Sequence, residues 1–297
     1  MTFEQAEEAL LARYGVSAEK RSVELGGRTA RVLVVGEGPP VVMANGAGTP
    51  AAMFAPLMAE LEGYTLYAVD WPGHGLSDPD PTFASDLREN SVRFLVEVLD
   101  ALGLDHPAVV ANSFGSWAST WLALRHPARI RAMVHLGCPA IALDTSAPLP
   151  MRLLSMWFPG RMMMKIQPPS ARQVRQLSKM VGEHPLEPDI GDLLLATERQ
   201  PQFEASFVAI INALIRLRGS RPEQRIRLHH LAEVTQPTLL VFGNKDPFGA
   251  ASVGERIAEA MPNARLHVVE AGHAPWLRHH QAIGKLANEF LSTAGVS

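Results

Sequence analysis

The chain has 297 residues, 47% of them hydrophobic and 19% charged, with a formal net charge of −3. That size and apolar content allow a sizeable core in one large domain or a domain carrying an insertion, and the charge balance gives no electrostatic argument for nucleic acid or an acidic membrane. The one cysteine, Cys138, excludes an intramolecular disulfide, and the 11 histidines lack the spacing of a metal site.

The N-terminal stretch through Leu11 lacks a basic start and a long apolar core, so it reads as an amphipathic acidic helix and not a signal peptide. No run approaches the ~18 apolar residues of a membrane span. A cytoplasmic protein with no membrane span is expected. Residues 3–14 predict a helix with Phe3, Ala6, Leu10 and Leu11 on one face. Residues 21–25 and 29–35 predict two strands joined at Gly26-Gly27. Residues 41–44 form a short, continuously apolar strand, as when both faces are buried. The turn Asn45-Gly46-Ala47-Gly48-Thr49-Pro50 follows, and it either aims backbone N–H groups at one point or simply connects. Residues 51–62 predict a helix and 65–70 a strand. That strand ends in Asp70-Trp71-Pro72-Gly73-His74-Gly75-Leu76-Ser77, a tight irregular loop. Residues 86–102 predict a helix.

Residues 108–112 predict a strand and 114–126 a helix stopped by Pro127, with Ser113 at the apex between them. Ala111 and Gly115, two positions to either side, are small. That is the requirement where a strained apex residue joins a strand to a helix. An ordinary N-capping serine would look the same locally. Residues 130–136 predict a strand. To this point strand and helix alternate, which argues a parallel sheet with helices on both faces.

The rhythm breaks across 139–228, where prolines separate helical pieces and 203–217 is the clearest helix. Met151, Met156, Met162, Met163 and Met164 cluster in sequence with Trp157 and Phe158. Methionines fill irregular gaps and suit adaptable apolar surfaces, so the stretch is the core of a helical insertion, a lid over a pocket, or both. Alternation returns with a strand at 238–242, the loop Gly243-Asn244-Lys245-Asp246-Pro247, a helix at 250–261 and a strand at 265–269. Gly272-His273-Ala274-Pro275-Trp276 and a last helix at 282–291 complete the chain. Cys138, at the end of an apolar run, reads as a small buried hydrophobe.

Four motifs in order, each at a predicted strand end, resemble those of the α/β-hydrolases that carry a helical cap. They are Asp70-Trp71-Pro72-Gly73-His74-Gly75-Leu76-Ser77, Ala111-Asn112-Ser113-Phe114-Gly115, Gly243-Asn244-Lys245-Asp246 and Gly272-His273. The resemblance covers roughly 21–138 and 229–297. It implies an α/β fold with a mostly parallel central sheet flanked by helices, a core of 1–138 and 229–297, and a cap of 139–228 inserted after the sixth strand. It reproduces the family order of nucleophile, acid and base. A serine hydroxyl needs a base within reach, and a histidine needs a carboxylate to fix its tautomer. Ser113 is therefore the expected nucleophile, His273 the base and Asp246 its orienter. Asp144 is a fallback acid, since some members place the carboxylate after the preceding strand. The backbone N–H groups of Ala47 and Phe114 are the expected oxyanion donors. Two departures stand out: Asn45-Gly46 where the family usually has His-Gly, and Ala111 where it usually has Gly. Asp70 and His74 are expected to hold their loop, and His279 and His280 to face solvent at the start of the last helix.

A serine at the apex argues against epoxide hydrolases and haloalkane dehalogenases, which use aspartate there. The leading expectation is hydrolysis of a small or medium apolar carboxylic ester through an acyl-enzyme. Asn112 before the serine and Trp276 after the histidine are similar to meta-cleavage-product hydrolases. A carbon–carbon bond hydrolase is therefore the alternative, with Arg152, Arg161, Arg172 and Arg175 available for a substrate carboxylate. A low-turnover ligand-binding member of the fold is a third reading. The expected pocket residues are Asn45, Asn112, Met151, Trp157, Met163 and Trp276. A small-molecule substrate is expected, with no metal, no other cofactor and no nucleic acid; oligomeric state is not legible.

Overall fold

The computed structural model describes residues 1–155 and 169–296. Its strands in chain order are β1 (Glu19–Glu24), β2 (Thr29–Val35), β3 (Pro40–Ala44), β4 (Thr65–Val69), β5 (Ala108–Asn112), β6 (Met133–Leu136), β7 (Ile215–Arg216), β8 (Gly219–Ser220), β9 (Thr238–Gly243) and β10 (Ala264–Val269). Eight of them form one sheet in the order β1-β2-β4-β3-β5-β6-β9-β10, while β7 and β8 form a separate hairpin. β2 runs antiparallel to both β1 and β4, and every other pair in the large sheet is parallel. The mostly parallel sheet is therefore as the resemblance implies.

The interior strands β5, β6 and β9 are buried along their whole length, which is why they read as unbroken apolar runs. The two edges differ. β1 exposes Glu19, Lys20 and Arg21, and β10 exposes Arg265 and His267; such charges discourage edge-to-edge pairing. Alternate residues of each inner strand serve opposite cores. Val42, Val109 and Leu240 pack with Leu95 of α3 (Leu87–Ala101), Trp117 of α4 (Phe114–Arg125) and Ile257 of a helix at Ala251–Ala260. Val41, Val110 and Val241 pack with Leu10 of α1 (Phe3–Arg13), Leu57 of α2 (Ala55–Met58) and Phe290 of the last helix. α1 is anchored by charge as well as apolar packing. Its fully buried Glu7 accepts both guanidinium nitrogens of Arg31 on β2, at 3.0 and 2.6 Å.

Between β6 and β9 the described residues form α5 (Leu149–Leu154), α6 (Ala171–Met180), α7 (Pro188–Glu198), α8 (Phe203–Leu214), the β7–β8 hairpin and α9 (Leu228–Ala232). α10 is Ala251–Ala260 and α11 is Trp276–Thr293. No described helix is long and apolar enough to cross a membrane.

Four local expectations need correction. Residues 51–62 are not one helix but a 3-10 turn, Ala51–Phe54, followed by the single turn of α2, with Pro56 in its opening positions. The clearest helix of the insertion stops at Leu214 and not at 217, because the chain turns into the hairpin. α11 starts at Trp276 and not at 282; non-helical dihedrals at His279 (φ −115°, ψ 28°) interrupt the apolar spacing there. His279 and His280 are consequently half-buried rather than solvent-facing. His280 Nδ1 lies 2.9 Å from Glu60 Oε1 and its ring meets the edge of Tyr14, while His279 Nε2 lies 3.1 Å from the carbonyl of Glu270.

Ser113, Asp246 and His273 each follow a strand, after β5, β9 and β10 respectively. All three strands are parallel, so their C-terminal ends share one rim of the sheet. In open α/β sheets that rim is where ligands bind.

Candidate active site

Ser113 has φ 51° and ψ −107°, a left-handed conformation costly for any residue with a Cβ. The strain is held by close approach on both sides. A Cβ on Gly115 would collide with the carbonyl of Ala44, its carbon only 2.6 Å away. One on Gly46 would sit 2.9 Å from Asn112 Oδ1 and 3.3 Å from Ser113 Cβ. These two glycines let the loop after β3 lie against the elbow. Phe114 is fully buried, its ring 4.8 Å from Trp71 and stacked 5.5 Å from Trp117. Its backbone N–H belongs to the first turn of α4, whose donors have no partner within the helix. Ala47, Ser113 and Phe114 line one cavity.

Asp246 is wholly buried at its side chain and takes three donors. Oδ2 accepts the N–H of Cys138 and His273 Nδ1, both at 2.8 Å, and Oδ1 accepts the N–H of Phe248 at 2.8 Å. With Nδ1–H donating to the carboxylate, Nε2 is left as the acceptor. Nε2 is buried and has no hydrogen-bond partner, and His273 lines the same cavity as Ser113. The Phe248 ring covers the imidazole at 4.1 Å. Asn112 links the elbow to the histidine loop, its Nδ2 donating to the carbonyls of Leu136 at 2.6 Å and His273 at 3.1 Å.

The fallback acid does not take this place. Asp144 is exposed and paired with Arg256 at 2.9 Å. The Cys138 thiol is fully buried, and burial with the neighbouring Asp246 pushes it well above the usual thiol range, leaving an inert small hydrophobe. Asp70 accepts the N–H groups of Ala51 at 2.6 Å and Leu76 at 3.2 Å, and burial lifts its carboxyl to about 7. His74 lies 3.1 Å from the Pro72 carbonyl, and burial lowers it to about 4, so it stays neutral. Both hold the Pro-Gly loop, as expected.

The cavity has a volume of about 520 Å³ and is walled by Met151, Leu154, Leu177, Phe203, Phe207 and Trp276 among others. The indole of Trp276 is fixed by a 3.0 Å bond to the Met53 carbonyl. Of the pocket candidates, Asn112, Met151 and Trp276 line this cavity, and Asn45 does not. The Asn45 side-chain amide turns away to donate to the Pro50 carbonyl, and the Asn45 backbone carbonyl accepts Trp71 Nε1 at 2.7 Å. It closes the turn where the family's usual histidine would stand. Trp157, Met163 and Arg161 lie outside the described residues.

Among the described residues the cavity wall contains no lysine or arginine. Arg172 and Arg175 are exposed, and Arg152 points Nη1 at the Leu217 carbonyl, 3.4 Å away. The wall does contain two carboxyls that sequence reasoning missed, Glu183 and Glu198. Burial lifts each to about 7. Glu198 Oε2 is buried without a partner. No group of three His, Cys, Asp or Glu among the described residues could hold a metal ion.

A family model described as the alpha/beta hydrolase fold matches residues 39–279. The chain is 27% identical to a 2-hydroxy-6-oxononadienedioate/2-hydroxy-6-oxononatrienedioate hydrolase of Cupriavidus pinatubonensis, over 84% of this chain and 86% of that one. It is also 27% identical to a 2-hydroxymuconate semialdehyde hydrolase of Pseudomonas putida, over 87% and 89%. Among solved structures, carboxylesterase CesB of Bacillus subtilis superposes with a TM-score of 0.80 at 21% identity, covering 98% of this chain and 97% of that one. The meta-cleavage product hydrolase CumD of Pseudomonas fluorescens superposes with a TM-score of 0.74 at 22% identity, covering 92% and 98%. At such identities the two superpositions establish the fold alone.

Proposed function

The chain belongs to the α/β-hydrolase fold family and is a hydrolase, and from that premise we propose that it cleaves an uncharged, apolar carboxylic ester through an acyl-enzyme on Ser113. The observation that carries this reading is the His273 imidazole. It is anchored by Asp246 at Nδ1, its Nε2 is without a partner, and it lines the mostly apolar cavity that the strained Ser113 also lines. His273 Nε2 takes the hydroxyl proton as Ser113 Oγ bonds to the substrate carbonyl carbon. The resulting oxyanion is met by the N–H groups of Phe114 and Ala47, each such donor contributing on the order of 3 kcal/mol. His273 then returns the proton to the departing alkoxide. Water repeats the sequence on the acyl-enzyme and releases the acid.

Residues 139–228 serve as the cap in this reading, because Met151 of α5, Leu177 of α6 and Phe207 of α8 supply much of the wall.

Carbon–carbon bond hydrolysis is the second reading, and the names of the relatives favour it over the ester. The acyl group would still pass to Ser113, with a carbon leaving group in place of the alkoxide. The named dienedioates bear carboxylates, which call for a cation, and the described wall presents carboxyls instead. Steady-state assays decide between the two. An ester chain-length panel is expected to give a larger kcat/KM than a 2-hydroxy-6-oxo-dienoate, and the reverse order would replace the ester with the carbon–carbon reading. A fluorophosphonate is expected to label Ser113, and Ser113→Ala to lower ester turnover by about 10³-fold or more. Neither labelling nor turnover would overturn both readings in favour of a ligand-binding protein.

A further inference from the structure

The turn after α6 lies against the backbone of the histidine loop. The N–H of His273 donates to the Val181 carbonyl at 2.9 Å. The N–H of Ala274 donates to Glu183 Oε1 at 3.0 Å, while Oε2 is buried without a hydrogen-bond partner. The contact is too close for side chains. A Cβ on Gly272 would come within 2.6 Å of the Gly182 carbonyl carbon, and one on Gly182 within 3.0 Å of the Gly272 Cα. Glu183 is fully buried. It forms part of the partition between the substrate cavity and an outer pocket lined by Arg13, Tyr14, Glu187, Arg278 and His280.

We propose that Glu183 is a positioning residue for His273. Its carboxyl oxygen grips the backbone immediately after the base, at the N–H of Ala274, and the Val181 carbonyl, two residues before Glu183, holds the N–H of the base itself. The inference rests on the reading of His273 as the general base. The charged and titratable groups facing Glu183 are His273 on its loop, Arg278 and His280 on α11, Arg13 and Tyr14 of α1 and the turn after it, and Glu187 before α7. Burial lifts the carboxyl to about 7 against the opposing pull of the Ala274 N–H and of Arg278, whose Nε lies 3.8 Å away. The base is thereby held by the helical segment as well as by the sheet. α6 ends at Met180, whose neighbours Leu177 and Val181 touch the same cavity, so packing of substrate against α6 bears directly on where His273 sits.

The test compares Glu183→Ala, Glu183→Gln and His273→Ala with the parent enzyme on a p-nitrophenyl ester, with thermal unfolding recorded for each. Removing the grip in Glu183→Ala is expected to lower kcat by roughly 10- to 100-fold, with KM changed less than about threefold, as for a displaced catalytic group. Glu183→Gln keeps an acceptor oxygen and is expected to recover most of kcat. Parent-like kcat in Glu183→Ala, or a loss confined to KM, would overturn the proposal. So would a kcat lowered by more than about tenfold in Glu183→Gln, which decides the matter alone if the alanine variant does not fold. Parent-like turnover in His273→Ala would instead remove the base assignment itself, a separate failure read in the same experiment.

Discussion

Replacing Asp246 by asparagine keeps the shape of the side chain and removes one charge, and the geometry dictates how the amide will sit. The carboxylate accepts Cys138 and His273 at Oδ2 and Phe248 at Oδ1. An amide has one oxygen. With that oxygen in the Oδ2 position two bonds survive, and only the N–H of Phe248 meets another N–H. With the nitrogen there, two bonds are lost and the imidazole must change tautomer. Each unmet buried donor costs about 1–3 kcal/mol, so the first orientation wins and the tautomer is kept. Activity then falls only through the missing charge. Opposite charges about 4 Å apart, at an effective dielectric of about 20, attract by about 4 kcal/mol, and a neutral hydrogen bond retains about 1 kcal/mol of this. The remaining 3 kcal/mol or so corresponds to about a 10²-fold fall in kcat. Stability should fall by about 1–3 kcal/mol through the Phe248 N–H. Steady-state hydrolysis of a p-nitrophenyl ester, paired with urea unfolding, measures both. A kcat within about fivefold of the parent would remove Asp246 from its proposed role. A loss near 10⁴-fold, the size associated with a wrong tautomer, would show that the nitrogen faces His273 and that the orientation argument is wrong.

Three further outcomes follow from packing and charge. Gly115→Ala drives a Cβ into the Ala44 carbonyl, with backbone on both sides, and should cost on the order of 3 kcal/mol in urea unfolding; an unchanged midpoint would contradict the close approach. Arg31→Ala leaves the buried Glu7 carboxylate only Lys20, 3.5 Å away at the surface, and should cost about 3 kcal/mol, whereas Arg31→Met with Glu7→Leu should recover part of it, Asp70 remaining without its cation. Equal losses in the single and double variants would refute the ion-pair account. Glu198 is an unpartnered carboxyl lifted by burial to about 7 from an ordinary 4.5. Because the unfolded chain ionises first, its burial costs stability that sets in as pH rises through that window and is absent below it. Glu198→Gln should therefore raise the unfolding temperature more at about pH 8 than at about pH 5. An equal gain at both would exclude a buried carboxyl as the cause.

The parts legible in the sequence were those whose local chemistry has few alternatives. An apolar run buried on both faces, as at 108–112 and 238–242, announces an inner strand. A serine flanked by Ala111 and Gly115 announces an elbow, because the Ala44 carbonyl leaves no room for anything larger than hydrogen at 115. Asp246 and His273 stood out because each follows such a strand. Asn45 was misplaced for the opposite reason: nothing local says whether an amide beside a glycine turn faces a cavity or the Pro50 carbonyl behind it. Glu183 and Glu198 were illegible because a carboxylate in a helical segment is ordinarily solvated, and only tertiary packing reveals its burial. The start of α11 was missed because the kink at His279 shifts the apolar spacing by part of a turn.

The bond from the Cys138 N–H to Asp246 has a practical bearing on recombination between relatives. Cys138 is two residues beyond β6, at the root of the helical segment, so the segment's point of departure touches the acid of the site. Val181 and Glu183 touch the base from its interior. A transplanted segment joined upstream of Cys138 would therefore bring its own contacts to both Asp246 and His273. A splice downstream of Ala140 would keep the native donor to the acid while exchanging the one that grips the base. Junction choice alone would then separate chimeras that exchange only the contacts to the His273 loop from chimeras that exchange the contact to Asp246 as well.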